Sequence, residues 1–285
     1  MVRDYTGKLY LITGGSGFLG KYLTQRVLTL GGKVRCLSRN EGSLITLKQK
    51  HPDIEIYPGD VSDAFEVQQA MEGVDGVFHL AASKHVLLAE QFTRECIKTN
   101  VIGALNILEQ SLHQPLDFVL SISTDKACQV SGVYGATKFL LERLSKQYEK
   151  LNRECSYRVV RYGNVLYSTG SVLCKWKELI QNGDGVIITD PDATRFFWTA
   201  GQAIDLIFDC LLLREDSSPY CPFMKSVRMG TLLDAMIDKY GGGKEIPVEV
   251  IGLQDGENLH EKMLEEGSFS NEVQSFSLEE LKEIL

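Results

Sequence analysis

Thr13-Gly14-Gly15-Ser16-Gly17-Phe18-Leu19-Gly20 is the stretch on which the reading of this chain turns. Directly before it, Lys8–Thr13 is apolar and of strand length. Directly after it, Phe18, Leu19, Leu23, Val27 and Leu30 recur at helical spacing as far as Gly31-Gly32. A lone G-x-G-x-x-G says little, but a strand running into it and a helix running out give it meaning. Glycines let the backbone turn tightly and approach a pyrophosphate, whose charge meets the N-terminal end of the helix. Gly14, Ser16, Gly17, Phe18 and Leu19 are therefore candidate contacts for a dinucleotide.

The same pattern repeats outward. Lys33–Ser38 is a second strand, and its end carries Ser38-Arg39 where an acidic residue for the ribose hydroxyls of NAD is usual. A hydroxyl and a guanidinium suit a 2′-phosphate, so NADP is the expected cofactor; a solvated loop arginine is the alternative. Ile54–Tyr57 is a third strand leading to Gly59-Asp60-Val61, with Asp60 placed to meet an adenine amine. Phe65–Met71 reads as a helix and Gly73–Leu80 as a fourth strand. Its carboxyl end, Leu80-Ala81-Ala82, leaves room for a cofactor against the backbone, and Lys84 follows. Glu90–Gln110 reads as largely helical, with Asn100 as polar support for the neighbouring loop. Phe118–Ile122 and Tyr157–Tyr162 are the fifth and sixth strands. Strand and helix alternate with connections too long for hairpins, which predicts an α/β, Rossmann-type doubly wound parallel sheet.

Chemistry concentrates after the fifth strand. Thr124-Asp125-Lys126 sets a hydroxyl, a carboxylate and an amine at a strand end, and the helix Val133–Leu151 carries Tyr134 and Lys138 four residues apart on one face. An ammonium beside a phenol favours the phenolate and makes it usable as a base. A solvated helix start is the alternative, since Y-x-x-x-K arises often by chance.

Beyond Gly163-Asn164 the punctuation changes. Helices are expected at Val172–Gln181, Gln202–Arg214 and Thr231–Tyr240, and strands at Val186–Thr189 and Pro247–Ile251. A surface helix capped by Ser277 closes the chain. Residues 1–162 are expected to form an NADP-binding domain, and 163–285 a smaller, partly interleaved substrate-binding lobe. The chain has 285 residues and a net charge of −8, with no basic block, which disfavours nucleic acid and anionic membranes as partners. Seven scattered cysteines without a C-x-x-C pair suit reduced thiols in a cytoplasmic protein. No stretch reaches the length of a membrane span, and no metal site is expected.

These motifs resemble the extended short-chain dehydrogenase/reductases, and among them the UDP-N-acetylglucosamine 4,6-dehydratases of polysaccharide biosynthesis. Thr13–Gly20, His79–Val86, Glu95–Asn100, Ser123–Cys128, Tyr134–Lys138, Arg161–Val165 and Thr189–Phe197 carry the resemblance, most specifically Thr-Asp-Lys-Ala with Tyr134 eight residues after the lysine. The resemblance implies that Tyr134, its pKa lowered by Lys138, takes the O4 proton of the sugar while NADP oxidises C4, with Thr124 on the same oxygen. It implies Lys126, as an amine, for the C5 proton and Asp125 for protonating the departing C6 hydroxyl. Val165 would contact the cofactor, Lys84 the cofactor or substrate, and Asn164 and Arg195 the UDP phosphates. Tyr134, where membrane-anchored members usually have Met, points to the soluble group that inverts C5. Homo-oligomers, with helices of two copies pairing, are also implied. The family's arginines are missing at Thr169 and Gln254, so the exact sugar stays open. The rival expectations are a nucleotide-sugar 4-epimerase and a catalytically idle NADP-binding regulator.

Overall fold

A computed structural model describes residues 4–285. Its central sheet has six parallel strands: β1 (Leu9–Thr13), β2 (Lys33–Ser38), β3 (Glu55–Pro58), β4 (Gly76–His79), β5 (Phe118–Thr124) and β6 (Ser156–Tyr162). Their order is β3-β2-β1-β4-β5-β6. The reversal between β1 and β4 opens a crevice at the carboxyl ends of the strands, where ligands of such sheets bind. Helices α1 (Phe18–Thr29), α2 (Glu41–Lys50) and α3 (Ala64–Met71) connect the first four strands. The inner strands β1, β4, β5 and β6 are buried on both faces and read as apolar runs, as a covered parallel sheet requires, whereas β3 at the edge is partly exposed.

The segment read as largely helical over Glu90–Gln110 is so, in several pieces. It forms α4 (Val86–Gln91), α5 (Thr93–Ile97), a π-helical turn Lys98–Ile102 and α6 (Gly103–Gln110). The break falls at Phe92, whose φ of −119° and ψ of 52° are not helical. The wide turn faces Asn100 inward, where it is 1% exposed. Helix α7 (Val133–Leu151) then leads into β6.

The distal half holds β7 (Asn164–Val165), α8 (Val172–Asn182), β8 (Val186–Ile188), β9 (Thr194–Trp198), α9 (Ala200–Leu213), β10 (Ser226–Arg228), α10 (Met229–Tyr240), β11 (Val248–Val250) and α11 (Leu278–Ile284). Sequence periodicity missed β7, β9 and β10, which form a small sheet of their own in the order β10-β9-β7. Gly163 permits this sheet: a Cβ there would lie 2.6 Å from the Phe196 carbonyl oxygen. Ser277 caps α11 as expected, accepting from the Glu280 N–H in a reciprocal capping box. Helix α9 returns to the central sheet, and Ala203, Ile204, Leu206, Ile207 and Cys210 complete the core over β1, β4 and β6. Among the described residues no helix is long and apolar enough to cross a membrane.

Candidate active site

The glycine turn between β1 and α1 is built as a cradle. Gly14 has φ of +68°, and a Cβ there would lie 3.0 Å from the Ala81 backbone. The turn thus presses against the end of β4. Thr13 Oγ1 accepts the Leu80 and Ala81 N–H groups, each at 3.1 Å, and donates to His79 Nδ1 at 2.8 Å. His79 is buried, and burial together with Lys138 pushes it down to about 3, so it is neutral. Helix α1 opens at Gly17 with no side-chain cap and no acidic residue in its first turn, leaving its N–H groups available to an anion. A dinucleotide fits this arrangement.

At the adenosine end, Ser16 Oγ donates to Ser38 Oγ at 2.8 Å, and Arg39 stands 3.8 Å from Asp60. Asp60 Oδ1 accepts from the Ser62 N–H at 2.9 Å, and Val61 is held by Asn106 through its carbonyl at 2.9 Å. Asn100 supports the loop after β4: it donates to the Ser83 carbonyl at 2.9 Å, accepts the Ser83 N–H at 2.7 Å and donates to Thr137 Oγ1 at 3.0 Å. These bonds brace the loop that follows β4.

At the end of β5, Thr124 caps a 3-10 turn formed by Asp125–Ala127. Asp125 is 2% exposed. Its Oδ1 accepts from Thr124 Oγ1 at 2.8 Å, from the Lys126 N–H at 2.9 Å and from Lys126 Nζ at 3.2 Å, whereas Oδ2 has no partner. Helix α7 docks on this turn through Gly135, where any side chain would strike the Lys126 carbonyl oxygen. That contact brings Tyr134 to Thr124, Asp125 and Lys126. Beneath them Ser123 and Arg161 both bond Glu142, Arg161 through two bonds at 2.7 and 2.6 Å, in a buried network.

The electrostatics differ from the sequence reading in two respects. Burial pushes the Tyr134 phenol up to about 12, and the cation that opposes the rise is Lys126; Asp125 raises it further. Lys138 is not the tuning group, because its Nζ is turned to the Ile122 carbonyl at 2.8 Å, and burial lowers it to about 8. Lys126 in turn is held as an ammonium. Burial pulls it down, but Asp125 and Glu261 outweigh burial and raise it. The expected free amine is therefore not the resting form.

Arg195, expected at the UDP phosphates, is nearly buried. It is 8% exposed, its Nη1 donates to the Thr194 and Leu259 carbonyls, and its Nε lies 3.9 Å from Glu261. These contacts use Nη1 and Nε and set the guanidinium beside Glu261. Asn164 donates to the Phe196 carbonyl at 3.4 Å, and Val165 pairs with Trp198 beside it. Lys84 is exposed and near Cys174. Glu261 escaped the sequence reading altogether: it lies in an irregular segment with no periodic or motif signal.

Residues 10–280 match the profile of a family described as "Polysaccharide biosynthesis protein". The chain is 38% identical over 290 residues to "Uncharacterized membrane protein MJ1061" of Methanocaldococcus jannaschii, covering 98% of this chain and 85% of that one. It is 33% identical over 267 residues to an inverting UDP-N-acetylglucosamine 4,6-dehydratase of Campylobacter jejuni, covering 91% and 78%. It is 31% identical over 269 residues to a UDP-glucose 4-epimerase of Rickettsia conorii, covering 91% and 78%. Among solved structures, Pen from Bacillus thuringiensis superposes with a TM-score of 0.93 at 29% identity, covering 99% and 98% of the chains. A dTDP-glucose 4,6-dehydratase of Streptomyces venezuelae, solved with NAD and TYD bound, shares the fold at a TM-score of 0.82 and 18% identity, covering 97% and 95%.

Proposed function

The chain belongs to the polysaccharide biosynthesis protein family, and from that membership we propose that it is a UDP-N-acetylglucosamine 4,6-dehydratase, C5-inverting and NADP-dependent. The observation that carries this reading is the buried Asp125 carboxylate. Its Oδ1 meets the Lys126 ammonium at 3.2 Å while Oδ2 has no partner, and the Tyr134 phenol stands close enough to feel both charges, an acid and a base beyond what alcohol oxidation needs. NADP would lie along Gly14–Leu19, Ser38-Arg39, Asp60-Val61 and Leu80–Ala82, and when bound it supplies reversible two-electron oxidation of the sugar.

The residues divide the remaining work. Tyr134 takes the O4 proton as its phenolate, the minor form at neutral pH, which the Thr124 hydroxyl and the positive charge of Lys126 favour against burial. A ketone at C4 acidifies the C5 proton, for which Lys126 is the base. Asp125 Oδ2, free because Oδ1 is already occupied, takes that O4 proton over from Tyr134 and hands it to the departing C6 hydroxyl, so the carboxylate is restored when water leaves. Lys138 fixes the end of β5 through the Ile122 carbonyl and keeps a positive charge under the ring-binding floor. The diphosphate is assigned to Asn164 and Arg195, with Lys84 toward the substrate or the nicotinamide ribose. We place the protein in the cytoplasm. Pairing of two copies is assigned to the exposed Leu87, Leu88, Phe92 and Leu140 of α4, its end and α7.

A 4-epimerase, the activity named for one relative, would leave Asp125 Oδ2 and Lys126 without a task. The test is proton NMR of the purified protein with UDP-N-acetylglucosamine in D₂O without added reductant. A 4-keto-6-deoxy sugar with deuterium at C5 is expected, and Lys126→Ala should slow its formation at least about 100-fold. A C4 epimer made equally well by Lys126→Ala, or no turnover, defeats the reading.

A further inference from the structure

Glu261 is held with more care than a filler residue needs. Its N–H donates to Ser270 Oγ at 2.8 Å and its carbonyl accepts the Ser270 N–H at 2.8 Å. On either side His260 bridges to Thr194 and Lys262 to Phe269. The side chain so fixed is 1% exposed. Its Oε1 stands 3.3 Å from Lys126 Nζ and 3.9 Å from Arg195 Nε, and Oε2 accepts from Asn258 Nδ2 at 3.4 Å. Burying a carboxylate costs several kcal/mol unless charges and hydrogen bonds repay it, and here the Lys126 ammonium is its nearest compensating charge.

We propose that Glu261 is a positioning residue that clamps Lys126 opposite Asp125 and governs when that lysine can act as a base. Oxygens of two carboxylates stand 3.2 and 3.3 Å from Nζ; Asp125 Oδ1 accepts a hydrogen bond from it, whereas Glu261 Oε1 is held by charge alone and has its lone pairs free. The other charged or titratable groups facing the pair are Tyr134 from α7 and Arg195 from β9. His260 is turned away, its Nδ1 bonded to Thr194 Oγ1 at 2.9 Å. An ammonium cannot take a proton from carbon, so Lys126 must first release one. Asp125 is reserved as the acid, which leaves Glu261, whose own proton affinity is raised by burial and by Asp125. The step is balanced within the pair: an Nζ–H bond breaks, an Oε1–H bond forms, and an ion pair becomes a neutral pair. The lone pair freed on Nζ then forms the new N–H bond with the C5 proton. The role in elimination rests on the function proposed above; the clamp itself does not.

The test has a readout that needs no substrate. Protein labelled with ¹⁵N-lysine gives a side-chain resonance for Lys126, assigned by its loss in Lys126→Arg. In the native chain it should keep its ammonium shift to about pH 10, and in Glu261→Gln it should titrate at least one pH unit earlier, a tenfold loss of proton affinity. Glu261→Asp should lie between, and it decides alone if the glutamine variant does not fold. With UDP-N-acetylglucosamine, Glu261→Gln should still build the reduced-cofactor absorbance at 340 nm while keto-sugar release falls at least about tenfold. An unchanged Lys126 titration overturns the proposal, as does an equal fall in oxidation and elimination. Absence of keto sugar from the native protein would defeat the dehydratase reading alone, and the titration would still decide the clamp.

Discussion

Arg39 shows how far one side chain can be read without its surroundings. The sequence supplies a guanidinium where a ribose-binding acid is usual, and the structure adds Asp60 at 3.8 Å, a carboxylate that reaches the same place from the end of β3. The arginine is 63% exposed, so this ion pair is weak and leaves the cation able to meet a 2′-phosphate. Arg39→Ala should weaken NADP binding about tenfold or more, the worth of a charge-assisted hydrogen bond, and leave NAD nearly unaffected. Isothermal titration with both dinucleotides measures it, and equal losses would remove Arg39 as the discriminator. Tyr134 and Lys138 were legible as a pair on one helix face, but not the partners that set their proton affinities. Lys138 turns to a carbonyl and Lys126 takes its place as the opposing cation, a consequence of tertiary packing that spacing along a helix cannot encode.

Helix α7 owes its position to an absent side chain. Alanine is about 1 kcal/mol better than glycine inside a helix, so propensity alone favours Gly135→Ala. A methyl at that site meets the Lys126 carbonyl oxygen, and relieving such a clash typically costs 1–3 kcal/mol, so the clash prevails. The variant should lose stability in urea denaturation and lose most turnover, because Tyr134 moves away from Thr124 and Asp125 with the helix. A gain in stability would show that α7 is not seated by this contact. The elements were otherwise unevenly legible. Six strands and the glycine turn announced themselves through apolar runs bounded by turn residues. The π-helical turn did not, since its purpose is to face Asn100 toward Ser83 and Thr137, contacts remote in sequence. Nor did β9, whose five residues are strand only because β7 and β10 flank them.

The whole molecule registers acid through His79. The imidazole is neutral in the fold, its pKa pushed down by burial to about 3 from the ordinary 6.5. Below pH 6.5 the unfolded chain takes up this proton and the folded chain does not. The stability is therefore complete above pH 6.5 and drains away between there and about pH 3, by a few kcal/mol in all. Urea midpoints measured across that range should fall steeply, and His79→Asn should flatten the upper part of the slope, before carboxylates begin to protonate. An unaltered slope would mean that the histidine is charged in the fold. The three-dimensional scale also explains why Glu261 was invisible: its meaning lies in Lys126 and Arg195, which only the folded chain brings near. The same closure has a temporal side. Arg161 reaches forward to the Met263 carbonyl, and Lys126 to Glu261, so the reacting centre is stitched by a turn synthesised long after the nucleotide cleft. The centre is therefore complete only once Glu261 and Met263 have met Lys126 and Arg161.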